Sequence, residues 1–144
     1  MMNEIFLFVV ELIAFSVLAL AETEIEGKYG GGGKNAKFFK LGALKVRLYH
    51  FYFMYIAIPL FLLLPLIAAG FSWRLFGILS AGAFIGGILE DFLWFVANPH
   101  YGIKKFNSKD GYWLKWVKIG KIELPYFYIT HPIVAIIIWI VFIL

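Results

Sequence analysis

The placement of positive charge constrains this chain more than any other feature. Of its thirteen Lys and Arg residues, twelve fall in, or at the edge of, two of the gaps between long apolar runs. Lys28, Lys34, Lys37, Lys40, Lys45 and Arg47 mark the first gap, and Lys104, Lys105, Lys109, Lys115, Lys118 and Lys121 the third. Arg74 stands alone in the second. Short loops rich in Lys and Arg are retained on the cytoplasmic side of a membrane. The chain is therefore expected to alternate across a bilayer with its first and third loops inside.

The apolar runs cover about 4–21, 47–69, 74–97 and 125–144. At ~1.5 Å per residue they reach roughly 27–36 Å, enough to cross a ~30 Å hydrocarbon core. The expectation is an all-α integral membrane protein forming one domain over 1–144. It would have four transmembrane helices in an antiparallel bundle, N-out/C-out, with cytoplasmic loops 22–46 and 98–124. Composition agrees: 62% hydrophobic content is more apolar surface than 144 residues can hide in a core, so lipid must cover much of it. The net charge of +4 belongs to membrane-flanking loops, where anionic headgroups rather than nucleic acid are its partner. The location that follows is the plasma (cytoplasmic) membrane, as a multi-pass protein. The chain has no Cys, which removes disulfides, thiolate nucleophiles and Cys-held metals.

Ala19-Leu20-Ala21 has the form of a signal-cleavage site, but no basic segment precedes it and Glu4 and Glu11 do. Residues 4–21 are accordingly read as the first membrane helix. Gly30 to Gly33 read as flexible linker, since a phosphate-binding loop would follow a strand. Residues 35–45 suit a short amphipathic segment along the interface, and Trp113 and Trp116 suit the headgroup layer. In the third run, Gly82 with Gly86 and Ala83 with Gly87 form small-residue pairs that let helix backbones approach closely. Such a face fits an internal contact or a seam with another chain.

Ionisable residues within a membrane are costly and point to function. With the topology above, Glu90 and Asp91 lie roughly 9–10 Å from the cytoplasmic end of the third run by helix rise. His131 lies roughly 9 Å and His50 roughly 4–5 Å from the same surface. Three helices thus bring Glu90, Asp91, His50 and His131 to nearly one level as catalytic or ligand candidates. Glu22 and Glu26 share a face if the first helix continues past 21. Together with Asn98 and His100 behind the break at Pro99, they form the supporting set. Asn98 and the nearby lysines are also candidates for holding an anionic group.

Carboxylates with imidazoles make a ligand set for a divalent metal (Zn, Mn or Fe), with Glu90, Asp91, His50 and His131 as its members. The competing reading is a hydrogen-bonded network without metal. Adjacent residues such as Glu90 and Asp91 point about 100° apart on a helix, so one pocket need not hold both. Glu11 is an intramembrane acid on its own, roughly 10 Å below the outer surface.

Three functions stay open. The first is a polar pocket at the cytoplasmic leaflet acting on a lipid or isoprenoid. The second is a proton or cation conduit from Glu11 to the acidic cluster. The third is a structural or accessory subunit of a membrane complex. Membrane lipids are the expected partners, with a homo-oligomer or larger complex open.

Overall fold

The structure is a computed structural model that describes residues 4–32, 37–42 and 44–144. It is mostly helical. Three helices are long and apolar enough to cross a membrane: α1 (Glu4–Glu26), α2 (Leu48–Ala69) and α3 (Trp73–Ala97). A fourth apolar helix, α4 (Phe127–Phe142), has 16 residues. It spans about 24 Å at the α-helical rise, short of a full ~30 Å core. α1 runs past the expected end at 21, because Glu22, Thr23 and Glu26 stay buried.

α3 is the central element, packed against α1 on one side and α4 on the other. Its glycines allow this. A Cβ on Gly82 would run into the Glu11 carboxyl, and one on Gly86 into the Phe15 ring. The small-residue face is therefore engaged within the chain at Gly82 and Gly86, whereas Gly87 faces open space. Toward α4, a Cβ on Gly77 would lie 2.6 Å from Cβ of Phe142.

The contacts give the directions of these helices. Glu4 meets Arg74, Glu11 meets Gly82, Phe15 meets Gly86, and the Gly27 carbonyl meets Asn98, so α1 and α3 run the same way. Arg74 also reaches the Ile143 carbonyl, and Asp91 meets Tyr128, so α4 runs opposite to α3.

α2 is different, for none of its residues is buried. No Cα of α2 comes within 8 Å of a Cα of α1. Between Phe53 and Ala57 the helix widens into a π turn. Pro59 follows, lacking an N–H and crowding the carbonyl four residues back, and a wider turn relieves both.

Each Lys-rich loop contains an antiparallel hairpin. β1 (Phe38–Leu41) pairs with β2 (Leu44–Arg47), and β3 (Trp116–Ile119) with β4 (Ile122–Pro125). Of the segment 35–45 expected along the interface, Phe38–Leu41 and Leu44 and Lys45 are strand residues of the first hairpin, while residues 35, 36 and 43 lie outside the described residues. At the second tip Gly120 has φ +63°, which suits the first central position of a II′ turn between Ile119 and Ile122.

The linker reading is also corrected at Gly30, while Gly33 lies outside the described residues. Gly30 is buried, with φ +49°, and a Cβ there would collide with Tyr101 and lie 2.9 Å from Trp113. Trp113 is not a free headgroup anchor either. It stacks on Phe95 and meets Trp94 and Tyr101 edge-on, closing an aromatic cap over Ala19. Trp116 donates from its indole to the Gly111 carbonyl at 2.7 Å.

Candidate functional site

The hairpin end of α1 carries an unusual density of buried polar groups. Glu22 and Glu26 lie one turn apart, are 3% and 7% exposed, and face two different partners. Arg47, at the end of β2, reaches back to Glu26 with 2.5 Å between Nη1 and Oε1. Its second terminal nitrogen donates to the Gly30 carbonyl, and the Tyr49 hydroxyl donates to the same Glu26 oxygen. The first hairpin is thus anchored by a guanidinium whose planar fork serves a carboxylate and a backbone carbonyl together.

Glu22 faces the other way. His50, in the first turn of α2, places Nε2 3.2 Å from Glu22 Oε2. The buried Glu90 carboxyl lies nearby on α3. Glu22 Oε1 is fully enclosed and takes no hydrogen bond among the described residues. The His50 side chain is 30% exposed against 4% for Glu22, so the imidazole is where the cluster meets its surroundings.

The other expected residues go elsewhere. Asp91 points to α4, accepting from the Tyr128 hydroxyl at 3.0 Å, as the 100° offset from Glu90 allows. His131 packs edge-on between the rings of Phe84 and Phe127, beside the Thr130 hydroxyl. Asn98 is committed to structure: its amide donates to the Gly27 carbonyl at 3.0 Å, and its side-chain oxygen accepts from the His100 N–H. His100 itself is exposed in the turn that follows. At 1% exposure, Asn98 offers no surface to an anion from outside.

The arrangement does not support the metal expectation. Among the described residues, no three His, Asp or Glu side chains are grouped so as to hold a metal ion. Glu90, Asp91, His50 and His131 diverge toward three neighbours instead of converging on one point.

Arg47 and Tyr49 are site members that sequence alone did not single out. The pattern Arg47-Leu-Tyr49-His50, polar groups at the mouth of an apolar run, is the signal that could have found them.

Glu11 is 7% exposed, pressed on Gly82, and neither of its oxygens takes a hydrogen bond among the described residues. On the face of α1 between it and Glu22 lie buried Phe15 and Ala19, which offer no relay.

Comparison with protein-family models, with curated proteins and with solved structures found no match.

Proposed function

We propose that this is a four-span membrane protein with both termini outside. Its Glu22–Glu90–His50 cluster, at the cytoplasmic leaflet of the plasma membrane, acts as general base and acid in hydrolysis at the head group of a lipid or isoprenoid, taking a proton from the attacking water and returning it to the leaving oxygen. The orientation is supported by the two Lys-rich hairpins flanking the same end of the parallel pair α1 and α3. α4 completes the fourth crossing with the help of Ile143 and Leu144 beyond its last turn, and the helices then form a bundle of alternating direction.

One observation carries the chemistry: a partly exposed imidazole hydrogen-bonded to a buried carboxylate that is itself backed by a second carboxyl. In such an arrangement Glu22 fixes the tautomer and orientation of His50, and Glu90 supplies or stores the second proton. His50 is then the group that gives or takes the proton at the head group. The Glu26–Arg47 pair holds the hairpin that positions it.

The conduit reading is weaker. From Glu11 to Glu22 the path is about 16 Å along α1 and is walled by Phe15 and Ala19. The accessory-subunit reading loses its docking face at Gly82 and Gly86, which α1 already occupies.

The test is a comparison of lipid extracts from cells producing the wild-type chain, Glu22→Gln or His50→Gln at equal levels. The expected result is one lipid or isoprenoid species altered by the wild type and left unchanged by both variants. Identical extracts from all three folded proteins would refute the proposed activity.

A further inference from the structure

The second hairpin turns its aliphatic face outward. In its register Val117 lies opposite Leu124, Lys118 opposite Glu123 and Ile119 opposite Ile122. Side chains alternate along a strand, so Val117, Ile119, Ile122 and Leu124 share one face and Trp116, Lys118, Glu123 and Pro125 the other. The second of these faces meets the loop that precedes β3. Trp116 donates to the Gly111 carbonyl and packs edge-on against Phe106, and Glu123 accepts from the Ser108 N–H at 2.8 Å. The aliphatic face therefore looks away from that loop, with Ile119 56% and Ile122 61% exposed. A hairpin on a water-soluble core would turn such a face inward.

Three observations bear on what covers it. Tyr126 alone separates β4 from α4, so the hairpin springs from the mouth of an apolar helix. That helix supplies about 24 Å of a ~30 Å core with its 16 residues, and a short span draws its flanking residues toward the interface. The charges match a lipid surface. Lys118 is paired with Glu123 at 2.8 Å, whereas Lys115, over the Tyr126 ring, and Lys121 flank the isoleucines at exposed positions. The first hairpin gives the third observation, because Phe39 stacks on Phe51 of α2 with ring centroids 4.0 Å apart. Leu41, two residues along that same face, is 68% exposed beside the membrane helix.

We propose that the second hairpin is an interfacial anchor: Ile119 and Ile122 insert into the leaflet beside the first turn of α4, and Lys115 and Lys121 hold anionic phospholipid head groups around them. The backbone stays at head-group depth, where its open strand edges keep water, and the lysines reach the phosphates on their long stems. A protein partner is the poorer fit. Two isoleucines flanked by lysines lack the aromatic or arginine anchor on which protein interfaces depend. The inference rests on α4 crossing the bilayer and not on the chemistry proposed for Glu22 and His50.

The chain has no cysteine of its own, so single substitutions report contact with water through their rate of reaction with a charged maleimide. Ile119→Cys and Ile122→Cys probe the aliphatic face, Lys118→Cys the opposite face, and Lys109→Cys the exposed loop. Each full chain is placed one copy to a nanodisc of phosphatidylcholine, with or without phosphatidylglycerol. With phosphatidylglycerol, residues 119 and 122 should react roughly tenfold or more slower than 118 and 109. Most of that protection should vanish in phosphatidylcholine alone, where each lysine gives up a roughly fivefold contribution. Lys121→Gln should weaken the protection of residue 119 by roughly fivefold in the anionic discs.

Equal rates at residues 119 and 118 in anionic discs overturn the proposal. Protection that ignores both phosphatidylglycerol and Lys121→Gln does so too. Protection that appears only with two copies in a disc would give the face to a second chain, and overturns it equally. Labelling of Leu144→Cys on intact cells reads the crossing of α4 separately. Where Leu144→Cys reacts from outside and residue 119 reacts like 118, the anchor fails while the crossing stands.

Discussion

Arg47 offers the most demanding test of how the hairpin end is held. Its side chain is 6% exposed and that of Glu26 is 4%, so the pair is desolvated on both sides. Arg47→Met keeps an apolar stem of similar length but leaves Glu26 with the Tyr49 hydroxyl alone, and leaves the Gly30 carbonyl without its guanidinium donor. Breaking a buried ion pair from one side costs about 3–5 kcal/mol, most of it the stranded charge. Glu26→Met should cost a similar amount by stranding the guanidinium instead. The double variant removes both charges and should recover most of the loss, falling within about 1–2 kcal/mol of wild type. Equilibrium unfolding in detergent, followed by helical circular dichroism, measures all four corners of this cycle. A single variant costing under about 1 kcal/mol, the range of an exposed pair, refutes the reasoning. A double variant worse than either single does so equally.

Gly86→Ala should cost about 1–3 kcal/mol, because its Cβ enters the Phe15 ring. Gly87→Ala, one position on and facing open space, should be neutral or gain up to about 1 kcal/mol of helix propensity. Thermal unfolding of the two side by side checks both. At the second hairpin, the Lys118 ammonium and then the Ser108 N–H hold the Glu123 carboxyl down at about 2. Because the folded value is depressed, this contact is complete above the ordinary value of 4.5 and is lost as pH falls from there toward about 2. Carboxyl-carbon NMR of Glu123 should give a midpoint near 2, and a midpoint at or above 4.5 would contradict it.

Much of the architecture was legible because apolar length is a strong signal. The runs at 47–69 and 74–97 became α2 and α3, their starts shifted by one residue and their ends unchanged. The hairpins are less legible, because each strand is only four residues long and short alternation is a weak signal beside long apolar runs. Yet Trp116-Val-Lys-Ile-Gly120-Lys-Ile-Glu-Leu carries a period-two pattern around a glycine turn. Glu22 and His50 do meet, 3.2 Å apart. Azimuth was not readable, since depth along a helix says nothing of which neighbour a residue faces. Asp91 turns to Tyr128 on α4, and His131 packs on Phe84, six residues before Glu90 on α3. Nor could sequence show that α2 would stand apart, because a helix apolar all round reads alike whether it packs on protein or on lipid.

Sidedness of the membrane is tested most directly by single cysteines, since the chain has none of its own to remove. Phe71→Cys and Leu144→Cys, at exposed positions, should react with an impermeant maleimide on intact cells. Lys40→Cys and Lys109→Cys should react only after the membrane is opened. Labelling of Lys40→Cys or Lys109→Cys from outside, or of Phe71 and Leu144 from opposite sides, would contradict a four-span protein whose acid cluster faces the cell interior.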